Sequence, residues 1–195
     1  MILPIIAYGD PILRKKAMPV TKDHPGLQDL IANLFETMYA ASGIGLAAPQ
    51  VGHSIRLFIV DTIPVLHNLD KEDPDHDFKG EKGLKQVFIN ARLLEKGGED
   101  WRYNEGCLSI PRIREDVERP DEITLEYQDE FFNTHRVLFN GLAGRVIQHE
   151  YDHIEGILFT DHLKPLKKRL LKKKMENISK GLVEVDYKMK FPLKK

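Results

Sequence analysis

At 195 residues, 42% of them hydrophobic, the chain is long enough to bury a sizeable core in one domain without disulfides. Its charges almost cancel, Lys+Arg 29 against Asp+Glu 30, so no overall field points to nucleic acid or membrane as the main partner. A single cysteine, Cys107, excludes a disulfide-built secreted domain, and the opening "MILPIIAYGD" lacks both a basic leader and a long apolar run. A soluble protein of a reducing compartment, the cytoplasm, is expected.

In chain order, "YGDPILRKKA" predicts a short helical turn with Asp10 as N-cap and Pro11 in the first position. "GLQDLIANLFETMYAAS" spaces Leu27, Leu30, Ile31, Leu34, Phe35 and Met38 as one face of an amphipathic helix that stops at Ser42-Gly43. "IGLAAPQVG" follows as a loop of small residues. "IRLFIVD" (55–61) and "QVFIN" (86–90) read as strands, and "DEITLEYQD" and "THRVLFNG" as two more joined by a turn near Asn133. Residues 64–83, charged and broken by two prolines and two glycines, read as an inserted surface loop. Asp73, Asp75 and Asp77 there imitate a calcium loop, but Phe78 replaces its glycine and Leu84 its bidentate glutamate.

The spacing predicts a helix over 142–154, punctuated by Gly141 and Gly156, which puts His149 and His153 of "QHEYDH" on one face. Glu150 is offset from that face, suited to a metal's water rather than the metal. A catalytic divalent cation needs three protein donors and an open position, and Cys107 in "NEGCLSIP" is the candidate third. Against this stand a helix surface that carries the pattern by chance and an inert buried thiol.

"GIGLAAPQ" (43–50), "EGCLS" (105–109) and "QHEYDH" (148–153), in this order and at these separations, resemble the three motifs of the peptide deformylases. The similarity runs from residue 1 to about 163, leaving the 64–83 segment and a 164–195 tail as departures from the family core. The resemblance implies one α+β domain over 1–195, with antiparallel β-sheets packed around a central helix that carries the histidine motif, an N-terminal helix and a C-terminal helix. It implies Cys107, His149 and His153 as ligands of one divalent metal, ferrous iron in the cell, with zinc, nickel or cobalt possible in purified protein. It implies Glu150 as general acid and base, Gln50 and the N–H of Leu108 as oxyanion donors, and Ile44, Gly45, Gly106, Arg114 (with Arg112 of "IPRIRED" as its alternative), Leu142 and Arg145 as substrate-binding. The activity implied is removal of the N-formyl group from the methionine of nascent polypeptides. A zinc endopeptidase leaves Cys107 and Gln50 unexplained, and a non-catalytic metal or ribosome-binding homologue leaves Glu150 and Gln50 without a task.

Arg145 falls one turn before His149 and is expected at the pocket mouth, its aliphatic stem along the wall. "KPLKKRLLKKK" (164–174) carries seven basic residues and no acidic one, and Leu166, Leu170, Leu171 and Ile178 continue a helical stripe that ends at Gly181. A solvated basic face is the plain account, and contact with ribosomal RNA the functional one. No sequence-specific nucleic-acid motif and no membrane partner is expected.

Overall fold

The structure is a computed structural model and describes residues 1–73 and 75–192. Pro74 of the 64–83 segment and the last three positions of the 164–195 tail therefore lie outside the described residues.

In chain order the elements are β1 (Ile5–Ile6), α1 (Leu27–Ala40), β2 (Gly45–Ala47), β3 (Leu57–Asp61), α2 (Ile63–Glu72), β4 (Lys85–Cys107), β5 (Ile110–Gln128), β6 (Thr134–Phe139), α3 (Gly141–Glu155), α4 (Pro165–Ser179) and β7 (Met189–Lys190). Strands β2 to β6 form one five-stranded sheet in sequence order, every pair antiparallel. β1 and β7, from opposite ends of the chain, make a separate parallel pair. The chain is α+β as expected, with α3 in the middle, packed on β2, β3 and β5.

α1 buries Leu27, Leu30, Ile31, Leu34 and Met38, the face its spacing predicts. Phe58, Phe88, Leu125, Phe139 and Ile147 close the core between sheet and α3, with the Phe58 and Phe88 rings stacked at 4.7 Å between centroids. The loop expected over 44–52 holds β2 and a 3₁₀ turn, Ala48–Val51, both buried.

Two departures matter for the site. The inserted loop expected at 64–83 begins as a helix: Pro64 starts α2, and Leu66 turns into the core beside Val65 and Leu69. These three apolar anchors, with Phe78 buried further on, hold a segment that is otherwise mostly polar and charged. Glu81, at its far end, caps the central helix, accepting from the backbone N–H of Leu142 at 3.2 Å. The second departure is the length of β4 and β5, which run far beyond the short strands predicted and form a ribbon joined by the two-residue turn Leu108-Ser109.

Candidate metal centre and active site

Three pieces of chain converge on one point. β4 ends at Cys107, α3 carries His149, Glu150 and His153, and the 3₁₀ turn after β2 carries Gln50. The donor atoms of Cys107, His149 and His153 lie within 4.8 Å of one another, and Cys107 Sγ is 3.3 Å from His153 Nε2. Donors that share a cation at about 2.0–2.3 Å stand roughly 3–4 Å apart, so the spacing fits. A thiolate and two neutral imidazoles suit iron, zinc, nickel or cobalt rather than magnesium or calcium.

The imidazoles are held differently. His149 Nδ1 is 2.9 Å from Glu105 Oε2, which leaves Nε2 as the nitrogen turned to the site. Glu105 in turn receives Arg119 at 2.7 and 3.0 Å and Arg145 at 3.1 Å. Burial alone would raise the Glu105 carboxyl, but His149 and Arg119 outweigh it and hold the group well below the usual carboxylate range. Burial is the main reason that His153 is pushed well below its ordinary value, which keeps a neutral, ligating imidazole.

Glu150 is 4% exposed, and its Oε2 has no hydrogen-bond partner among the described residues. Burial is the main reason that its carboxyl is pushed up to about 7. Room for it exists only because residue 45 is glycine: a Cβ there would stand 2.5 Å from Glu150 Oε1. Gln50 is oriented by its own backbone. Its Oε1 accepts from Ala47 N–H at 2.8 Å, which turns Nε2 toward Cys107 Sγ at 3.5 Å and Ser109 Oγ at 3.2 Å.

These groups open on a cleft of about 480 Å³. Ile44, Gly45, Gly106 and Arg114 are among the residues that line it. Arg114 is exposed at its rim, clamped on Asn104 through Oδ1 at 2.9 Å and the carbonyl at 2.5 Å. Two expectations change. Leu142 is packed in the core and does not reach the cleft; Val146, one turn on along α3, does. Arg145 borders the cleft without standing at its mouth: the side chain is 1% exposed, its guanidinium 4.2 Å from the Trp101 ring and bonded to Glu105 and to the carbonyls of Trp101 and Val117. A buried carboxylate is a stronger partner than solvent at the rim, and Glu105 draws it inward. Val185, Asp186 and Tyr187 line the cleft as well. Sequence reasoning missed them, although Val183, Val185, Tyr187, Met189 and Phe191 alternate with polar residues in the period of a half-buried strand.

A mononuclear donor set, a buried carboxyl that can hold or release a proton near neutrality and an amide donor facing the same space define a metallohydrolase. The polypeptide deformylase family profile matches residues 2–169. The peptide deformylase of Christiangramia forsetii is 57% identical over 98% of this chain and 97% of its own, and that of Flavobacterium johnsoniae 54% over 98% and 96%. Among solved structures, the peptide deformylase of Legionella pneumophila is 35% identical, with a TM-score of 0.75 over 91% of this chain and 95% of that one. The Thermotoga maritima peptide deformylase is 38% identical, with a TM-score of 0.70 over 85% and 99%. The chain belongs to the polypeptide deformylase family.

Proposed function

We propose that Cys107, His149 and His153 hold one divalent cation, ferrous iron in the cell, and that Glu150 and Gln50 work beside it to hydrolyse the formamide of N-formylmethionyl nascent peptides. The observation that carries the reading is Glu150, an unpartnered carboxyl buried against the donor set. When bound, the cation supplies Lewis acidity toward water and the formyl carbonyl. Glu150 accepts a proton from the water that adds to the formyl carbon. Gln50 Nε2 and Leu108 N–H donate to the oxyanion. As the carbon–nitrogen bond breaks, Glu150 returns the proton to the amine, leaving formate and a free N-terminus.

The peptide has a place to lie. β2 is the edge strand of the sheet, and Gly45 lets an extended backbone approach it and Glu150 together. Gly106 and Ile44 flank that edge, and Arg114 meets the peptide further along the cleft. We read 1–195 as one domain with its core in about 1–163. Stripping the protein with a chelator and assaying formate release from a formyl-Met tripeptide tests the reading. Activity should vanish and return with ferrous iron, without oxygen, or with nickel; an apoprotein as active as the loaded one overturns it.

The tail supports a second element, contact with the ribosome in the cytoplasm. α4 buries Leu171, Met175 and Ile178 and exposes Arg169, Lys172, Lys173 and Lys174. Lys167 is taken by Glu115 and Lys168 by the Asp161 carbonyl, so the other four are the ones to test. Neutralising them should weaken co-sedimentation with ribosomes most at low salt; unchanged co-sedimentation removes the idea. No helix among the described residues is long and apolar enough to cross a membrane.

A further inference from the structure

The segment after α4 lies beyond the residues that the family profile matches, yet it returns to the active site. It is fastened at two places. Beyond Tyr187, β7 pairs with β1, with Ile5 N–H donating to the Lys188 carbonyl at 2.8 Å and Ala7 N–H to the Lys190 carbonyl at 2.9 Å. Before it, Arg112 donates to the Glu184 carbonyl at 3.1 Å and to Asp186 Oδ2 at 3.3 Å, from a backbone at φ 61°. Between the fastenings, Val185 to Tyr187 form one wall of the cleft.

Tyr187 reaches from this wall to the turn that follows the cysteine ligand. Its hydroxyl donates to the Leu108 carbonyl at 2.7 Å. The rest of that turn is held by other parts of the chain: the Ser109 carbonyl accepts from Tyr8 N–H at 2.8 Å, and Ser109 Oγ accepts from Gln50 at 3.2 Å. Tyr187 therefore fixes the peptide plane on one side of the Leu108 Cα, and the N–H of Leu108 lies on the other side. In a two-residue turn closed by the pairing of Cys107 with Ile110, the two planes cannot rotate independently, so holding one holds the other.

We infer that Tyr187 is a positioning residue for deformylation, aiming the Leu108 N–H at the oxyanion by anchoring the Leu108 carbonyl. This rests on the reading of Leu108 and Gln50 as oxyanion donors. It gives the C-terminal segment a part in the chemistry that is separate from α4 and its basic face.

Tyr187→Phe keeps the ring in the wall and deletes only the hydroxyl, so it is the variant to make. In nickel-loaded protein with a formyl-Met tripeptide, kcat should fall about tenfold with KM within about twofold, because a misaimed donor weakens the transition state more than the bound substrate. Metal content should stay at the wild-type level. A wild-type kcat overturns the inference, as does a rise in KM alone or a loss of turnover that follows a loss of metal. Gln50→Ala, measured beside it, separates the two layers. If Gln50→Ala loses turnover and Tyr187→Phe does not, only the role of Tyr187 fails; if Gln50→Ala turns over like the wild type, the oxyanion reading fails with it.

Discussion

Glu105 and Gly45 show how much of the site is set by residues that take no part in the bond chemistry. Glu105 answers two arginines and a histidine inside the protein, at 4% exposure. Replacing it with glutamine leaves the guanidinium groups facing a neutral amide, and removing one partner of a buried ion cluster costs about 3–5 kcal/mol. Glu105→Gln should therefore melt well below the wild type. It should also hold its metal about 10–100-fold more weakly, because the hydrogen bond that orients His149 changes character; a metal-competition titration reads the second effect. Gly45→Ala acts differently, since the added Cβ falls on the Glu150 side chain, which supplies its three nearest atoms. Its predicted result is at least about a tenfold loss of kcat with full metal content, in line with the cost of displacing a catalytic group by about 1 Å. Full activity in Gly45→Ala would mean that Glu150 does not work from the position it occupies.

At the scale of elements, the turn from β5 to β6 carries a pH prediction. Asp129 accepts from the backbone N–H groups of Phe131 and Asn133 and from the side chains of Asn133 and His135. Burial would raise its carboxyl, but these bonds, His135 first, hold it at about 2. A depressed value contributes stability in full above the unfolded value near about 3.9 and loses it as pH falls toward the folded one. The gap in urea midpoint between wild type and Asp129→Ala should therefore be widest near neutrality and narrow below about pH 4. A gap independent of pH would assign the effect to packing. The same scale shows what the amino-acid pattern could and could not reveal. α3 was legible almost to its ends, 142–154 against Gly141–Glu155, because glycines bound it and the histidine spacing fixes its face. The β4–β5 ribbon was not. Its solvent face pairs Arg102 with Glu118 and Asn104 with Asp116, while Ile113 and Val117 are buried on the other, so the charged face masks the apolar one in the pattern. α2 was hidden by its charge, since Leu66 is its one buried residue. The three motifs hold the three side chains that converge as a candidate donor set, whereas the buried state of Arg145 depends on Glu105, forty positions away, and no local pattern carries it.

For the whole molecule, chain ends and centre are tied together. A separate apolar cluster, in which Leu13, Ile110, Phe159 and Met175 meet, gathers the N-terminal turn, the ribbon and α4. The β1–β7 pair then brings the last described strand against the first. A cation bound by Cys107 and the two histidines joins β4 to α3 across this assembly, and because it binds the folded state it should raise the melting temperature with free metal concentration. The central claim is that Glu150 moves the proton while the three donors only hold the cation. Its most direct measurement is formate release from a formyl-Met tripeptide by Glu150→Ala, with metal determined in the same sample. The account predicts wild-type metal content and a kcat at least about 100-fold lower, the range expected for losing a general acid–base. Wild-type turnover by Glu150→Ala with its metal in place would contradict it.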